Sequence, residues 1–273
     1  MTQKPIITLI TDFGLQDPFV GIMHGVIAGI CPSARVIDLT HGIPAFGLLD
    51  GALALWQSWR YFPADTIHTV VVDPGVGSER SALLVRTGGH WFIAPDNGVL
   101  TLVQRDVLRK GAECRAWKIT SPAVMLPEQS HTFHGRDIFS PAAAHLAWHL
   151  EHGSTNPAHF GSPVDAIAQL AVPEPVHHPD GSIEGVILKA DKFGNLLTNI
   201  PSTMLPQNLD ALRIIAGDQV IDRFARNFAS QPPGQLFGIP GSSGLLEIAI
   251  NRGSALAVTG LQPGTAVTLT HKP

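Results

Sequence analysis

Short, unbroken β-branched runs alternate with segments of helical spacing over the first half of the chain. Residues 5–11 (PIITLIT), 35–39 (RVIDL) and 66–72 (TIHTVVV) have the composition of strands buried on both faces of a parallel sheet. Between them, residues 19–30 and 48–59 carry apolar side chains at helical spacing, the first stopping at Cys31-Pro32. Residues 81–86 and 91–94 predict a hairpin, and the turn signal Pro95-Asp96-Asn97-Gly98 leads into a helix over 99–105. A further helix is predicted over 140–150. This alternation predicts an α/β domain over residues 1–172, built on a doubly wound, mainly parallel sheet.

The texture then changes. Proline and glycine recur over residues 155–182 (NPAHFGSP, PEPVHHPDGS), which reads as a linker or a run of turns and places the boundary segment at 173–182. Over 183–273 the apolar segments are short and strand-like: IEGVILKAD, ALRIIAG, QVIDRFA, GLLEIAI, ALAVTG and TAVTLTH. Their spacing predicts a smaller C-terminal antiparallel β-domain or barrel.

Composition narrows the function classes. With 44% hydrophobic and 15% charged residues, the chain of 273 residues has the make-up of a folded, water-soluble protein rather than a disordered one. The net charge of −4 and the lack of any basic run beyond two residues argue against nucleic acid as a partner. Cys31 and Cys114, the two cysteines, are too few for a disulfide framework or a zinc knuckle. The opening MTQKPIITLI lacks the features of a signal peptide, and no apolar run is long enough to cross a bilayer, so a cytoplasmic protein without a membrane partner is expected.

Four polar clusters combine ionisable or amide groups with glycine at inferred strand ends or helix starts: TDFGLQDPF, VDPGVGSER, TFHGRD and DKFGN. The second follows the most apolar strand, and loops beyond the carboxyl ends of such strands are where α/β sheets hold ligands. Asp73 and Arg80 in it form either a site or a capped turn with a solvated arginine. Asp12 either caps the following helix or accepts hydrogen bonds from a ribose diol. His134 is either a backbone-bonded core histidine or a base or water-positioning group beside Arg136 and Asp137. His131 and His134 lack the helical face of a zinc motif, so no metal is expected. VDPGVG lacks the G-K-[ST] ending of a P-loop, and Gly241-Ser242-Ser243-Gly244 is not a nucleophile elbow.

In this order the clusters resemble the S-adenosylmethionine hydroxide adenosyltransferases, adenosine-forming hydrolases related to the fluorinating and chlorinating adenosyl enzymes. The resemblance rests on ITDFG-x₂-DPFVG, VVVDPGVG-x₂-R, APDNGVLT, TFHGRDIFSPAAA, D-x-FGNLLTNI and SSGLLEIAINRGSA, and runs from residue 7 to about residue 258. It implies an N-terminal α/β domain, a C-terminal β-domain, and a homotrimer with sites at subunit interfaces. It implies a water-handling triad of Asp73, Arg80 and His134. By the same resemblance Asp12 falls on the ribose-diol acid, and Asp17, Asp191 and Ser242 fall where the amino and carboxylate groups of methionine are held. Phe193, Asn195 and the backbone around Asn251 and Arg252 fall along the adenine pocket. Phe46 stands where the fluorinating enzyme has a tryptophan. Asp73 replaces a tyrosine of the halogenating relatives, Phe19 a serine, and Ser243 an arginine at the methionine carboxylate. These departures favour water over halide.

The implied reaction is hydrolysis of S-adenosyl-L-methionine, a small-molecule substrate, to adenosine and L-methionine, with no cofactor. A halide adenosyltransferase and a non-catalytic adenosine or S-adenosylmethionine binder are the alternatives. The triad separates the last from an enzyme, because a binder has no use for it.

Overall fold

The computed structural model describes residues 4–272 and divides into two compact units at Leu170/Ala171. In the first unit, strand β1 (Ile6–Thr11) is followed by helix α1 (Phe19–Ile30), β2 (Arg35–Thr40), α2 (Leu48–Ser58) and β3 (Ile67–Val71). Next come β4 (Ala82–Thr87), β5 (His90–Pro95), α3 (Thr101–Arg109), β6 (Cys114–Lys118), α4 (Ser140–Glu151) and β7 (Pro163–Val164). The strands form one seven-stranded sheet in the order β2-β1-β3-β5-β4-β6-β7. Pairing is parallel from β2 to β5 and antiparallel beyond, so the sheet is mixed, with its parallel part where the β-branched runs lie.

Both faces are covered, which is why those runs are continuous rather than alternating. Met23 and Ile27 of α1 and Leu146 of α4 pack with Ile7, Leu9, Ile67 and Val71 on one face. Ala52 and Leu55 of α2 and Val103 and Val107 of α3 pack with Ile10, Val70 and Val72 on the other. The chain leaves β1 for β2 on one side and returns to β3 on the other, so the crevice beyond β1 and β3 is a topological switch point. The sequence does not announce β6, whose CRAWK carries two charges and no apolar run. The proline-rich stretch before the division is tied down: β7 pairs with β6, and the backbone N–H of Leu170 donates to Thr101 Oγ1 at 2.7 Å.

In the second unit, β8 (Val176–His177), β9 (Ile183–Ala190), β10 (Leu196–Pro201), β11 (Leu212–Ala216), β12 (Gln219–Ile221), β13 (Leu236–Pro240), β14 (Leu245–Ile250) and β15 (Ala266–His271) form an antiparallel sheet. Its order is β12-β11-β15-β9-β10-β14-β13, with β8 on β9, and its two ends approach each other to make a nearly closed barrel. Ile187, Leu196, Ile214, Leu246, Ile248 and Val267 fill its interior. One expectation fails here. ALAVTG is not a strand: residues 255–259 form the short helix α5 (Ala255–Thr259). Five apolar residues cannot distinguish the two periodicities, and the caps decide. Ser254 Oγ accepts from the N–H of Ala257 at 3.0 Å, and Gly260 ends the turn in the left-handed conformation.

Candidate active site

The parallel pairing aligns Thr11 with Val71, so the two following acids, Asp12 and Asp73, stand at the carboxyl ends of adjacent strands beside the switch point. After Asp73 the chain turns back on itself. The N–H of Val76 donates to the Asp73 carbonyl at 3.2 Å, and Ser78 Oγ donates to the Gly75 carbonyl at 2.6 Å. Gly77 (φ 78°) is required: a Cβ there would collide with the His131 carbonyl, so only glycine lets this loop meet the one that carries His134.

The turn delivers Arg80 to Asp73. Arg80 Nε donates to both carboxylate oxygens, at 3.1 Å to Oδ1 and 2.9 Å to Oδ2, and Nη2 donates to Oδ2 as well. The same Nη2 donates to His134 Nδ1 at 2.7 Å. The side chains of Arg80 and Asp73 are only 9% and 5% exposed, and the guanidinium lies 5.3 Å over the ring of Phe139. The three residues of the expected triad are therefore one network with the arginine at its centre.

This geometry fixes the state of the histidine. A guanidinium can only donate, so His134 Nδ1 accepts, and the neutral ring carries its proton on Nε2. Burial first, and then the Arg80 charge, hold the imidazole below its usual range, with Asp73 opposing. His134 precedes a π-helical turn over Gly135–Phe139 that runs into α4. Such turns are frequently found at functional sites. Buried Asp137 pins it, accepting from Arg136 Nε at 2.6 Å and from the N–H and hydroxyl of Ser130 at 2.8 Å each. Phe13, Phe19 and Phe133 meet edge to face beside it, with centroids 5.2–5.8 Å apart. Of this wall the sequence singled out only Phe19, as a departure from the halogenating relatives; Phe13 and Phe133 were not assigned a role.

Asp12 Oδ2 accepts from the backbone N–H of Phe46 at 2.9 Å. Phe46 has φ 65° and is 70% exposed, a costly conformation for an aromatic residue that packing does not explain. The loop after Asp12 is held by His41, whose carbonyl accepts from the Gly14 N–H at 2.8 Å and whose Nδ1 lies 2.9 Å from Thr11 Oγ1. Asp17 is exposed in the same loop, before α1.

The other expected residues lie in the second unit. Asp191 opens the β9–β10 turn: its Oδ1 accepts from the N–H groups of Phe193 (2.8 Å) and Asn195 (2.9 Å), and its Oδ2 from Asn195 Nδ2 at 2.9 Å. Phe193, 75% exposed, lines a cavity of about 390 Å³ with Asn195, Asn251 and Arg252, joined by Phe228 and Ile250. Arg252 is, like Phe46, a non-glycine residue in the left-handed region (φ 56°). Asn251 Nδ2 donates to the Gln231 carbonyl at 2.7 Å, so the segment around Phe228 belongs to this wall although no motif marked it. Ser242 is exposed in the β13–β14 turn. The structure thus gathers Asp73, Arg80 and His134 near Asp12 in one unit, and the aromatic cavity in the other. Among the described residues no group of three or more histidine, cysteine or acidic side chains is placed to hold a metal ion, and no helix is long and apolar enough to cross a membrane.

Comparison with known proteins gives two family matches: the SAM hydroxide adenosyltransferase N-terminal domain over residues 7–154 and its C-terminal domain over 185–268. An (R)-S-adenosyl-L-methionine hydrolase of Thermus thermophilus is 37% identical over 276 residues, covering 97% of this chain and 99% of its own. One of Salinispora arenicola is 35% identical over 271 residues, covering 99% of each. A solved structure of an uncharacterized conserved protein from Thermotoga maritima superposes with a TM-score of 0.87 at 33% identity, covering 97% of this chain and all of that one.

Proposed function

Since the chain belongs to the SAM hydroxide adenosyltransferase family, we infer that it hydrolyses S-adenosyl-L-methionine to adenosine and L-methionine. The observation that carries the mechanism is the Arg80-centred network at the carboxyl end of β3. An oxygen of water forms a bond to C5′ as the C5′–S bond breaks, and its electron pair returns to sulfur. The sulfonium becomes the neutral thioether of methionine, so the leaving group needs no acid. One proton from the water is released. The reaction balances with water alone, and no cofactor enters the proposal.

The enzyme's part is to align the water, lower its pKa and keep the site dry. Arg80 supplies a fixed positive charge beside the nucleophile, which favours hydroxide. His134, with Nδ1 taken by Arg80, offers Nε2–H to orient the oxygen. Asp73 accepts three hydrogen bonds from Arg80, and a carboxylate has about four acceptor positions. It keeps one position for the water's proton. Asp73 is thus the proton acceptor of this scheme and His134 the donor. Asp12 takes the ribose diol, Phe46 covers it, and Asp17, Asp191 and Ser242 take the amino-acid end. Phe193, Asn195, Asn251 and Arg252 receive the adenine. Attacking hydroxide and sulfonium neutralise each other in the transition state, so the apolar wall of Phe13, Phe19 and Phe133 favours reaction over solvent.

The same proposal includes a homotrimer with sites at subunit interfaces. It also includes a cytoplasmic location, because a charged sulfonium metabolite does not cross a bilayer unaided. The test is turnover of the purified protein in ¹⁸O-labelled water without chloride. Label at the 5′ oxygen of adenosine with equimolar methionine supports it; tight binding without turnover would make the protein a binder.

A further inference from the structure

Glu247 is the one acid in the apolar strand β14, and it is 8% exposed. Its neighbours across the sheet are Leu197 of β10 and Ile239 of β13. Its face of the sheet continues into a small buried cluster of Ala225, Phe237, Ile239 and Ala249. The side chain folds under the β13–β14 turn. A methyl group on Gly241 would overlap the Glu247 carboxyl and stand 2.8 Å from its Cγ, so the bare glycine is the space the acid occupies. That turn is closed by Gly241 N–H to the Leu245 carbonyl (2.8 Å) and Gly244 N–H to the Gly241 carbonyl (3.0 Å), and it carries Ser242.

We propose that Glu247 is a positioning residue for the amino-acid end of the substrate, a carboxyl wedged beneath the Ser242 turn and beside Asp191 whose charge is set by the cation that docks there. The proposal rests on the hydrolase reading and on the place of Asp191 and Ser242 in it. Burial first, and then the charge of Asp191, push the Glu247 carboxyl up to about 7, while the Ser243 hydroxyl opposes them. Lys189 stands in the same cross-strand row beyond Leu197, two strand spacings or about 10 Å away, and Lys192 lies in the β9–β10 turn.

The consequence is a coupling between substrate and proton. S-adenosylmethionine brings an ammonium and a sulfonium, with one net positive charge; methionine leaves as a neutral zwitterion. Docking of the cation favours the ionised carboxyl, so binding releases a proton and strengthens as pH rises through the free carboxyl's range. Loss of the sulfonium charge removes part of that stabilisation, and the carboxyl regains its proton as product leaves.

The experiment is the pH dependence of KM for S-adenosylmethionine from about pH 6 to 8 in wild type and Glu247→Gln, with kcat followed in parallel. A drop of one pKa unit on docking, from about 7, makes the wild-type KM fall about fivefold over this range. In Glu247→Gln that slope is lost, while kcat near pH 6 stays within about threefold. A wild-type KM that is flat with pH, or a slope kept by Glu247→Gln, overturns the proposal without touching the hydrolase assignment. Absence of wild-type turnover overturns that assignment instead. Should Glu247→Gln fail to fold, the wild-type protein still decides. Heats of S-adenosylmethionine binding to Arg80→Ala, measured in buffers of different ionisation enthalpy, must show proton release near pH 7, and their absence overturns the proposal.

Discussion

Replacing Arg80 by alanine separates water activation from substrate binding. The substitution removes every hydrogen bond that Asp73 receives from the guanidinium and the bond to His134 Nδ1. A unit charge about 4 Å from the developing hydroxide, at an effective dielectric constant of about 20, is worth about 4 kcal/mol. That converts to a loss of roughly 10³ in kcat. Because both side chains are nearly buried, Asp73 also loses its partner in the folded protein, at a cost of about 3–5 kcal/mol in stability. Arg80→Lys keeps a charge but not the fork that serves Asp73 and His134 together, so it recovers only part of the rate.

Three measurements check this. Chromatographic assay of adenosine formation gives kcat, calorimetry gives adenosine affinity, and thermal melting controls for folding. Adenosine binding is expected within about threefold of wild type, under 1 kcal/mol. A fourth readout is specific: without the Arg80 charge, the His134 imidazole titrates higher than in wild type, visible by NMR. The reasoning is refuted if Arg80→Ala keeps kcat within tenfold of wild type, or if adenosine affinity falls as far as the rate does.

Gly77→Ala places a methyl against the His131 carbonyl in a left-handed backbone and is expected to cost about 1–3 kcal/mol in denaturant melts, with a lower kcat as the His134 loop is displaced. Phe46→Gly relieves about 1 kcal/mol of backbone strain and loses a similar amount to unfolded-chain entropy. Its melting temperature should therefore barely move while KM rises, and an unchanged KM would remove Phe46 from the site. His68, fully buried with Nδ1 2.8 Å from Thr8 Oγ1, is depressed to about 3, by burial first and then by His90. The unfolded chain therefore binds the proton more readily, so this contribution is complete above the usual imidazole value of 6.5 and is lost as pH falls towards 3. At about pH 4.5 the loss is two pKa units, up to about 2.7 kcal/mol, and urea melts of His68→Gln should show a correspondingly smaller drop between pH 7 and 4.5.

The parts of this fold legible in the sequence are those where burial on both faces imposes an unbroken apolar run. Strands β1 and β3 announce themselves, and the acid-glycine loops after them follow from where parallel strands end. Strand β6 does not, because its edge-side pairing tolerates charged residues, and α5 does not, because Ser254 and Gly260 outweigh five apolar residues. Among the site residues, Asp73, Arg80 and His134 are legible as types, but the place of Arg80 at the centre depends on a turn that only Gly77 permits. Glu247 was out of reach. An acid in LLEIAI reads as the outward position of a strand, and its burial comes from the β13–β14 turn folding over it at Gly241, which the run does not reveal.

What unites the candidate residues is that the fold holds them before any substrate arrives. Asp73 is fixed by a fork from Arg80, Asp12 by the Phe46 amide, and Asp191 by three N–H groups of its own turn. Two of these loops contain a non-glycine residue in the left-handed region or pack against a segment that does: Phe46 beside Asp12, Arg252 in the cavity shared with Phe193. Fixed dipoles and charges cost no reorganisation when the reaction occurs, whereas water would have to reorient around a hydroxide and a sulfonium whose charges vanish together. A neutralising reaction gains least from new contacts and most from groups already in place, so strain and preformed hydrogen bonds at these loops are the expected signature of a hydrolase rather than of a flexible binder.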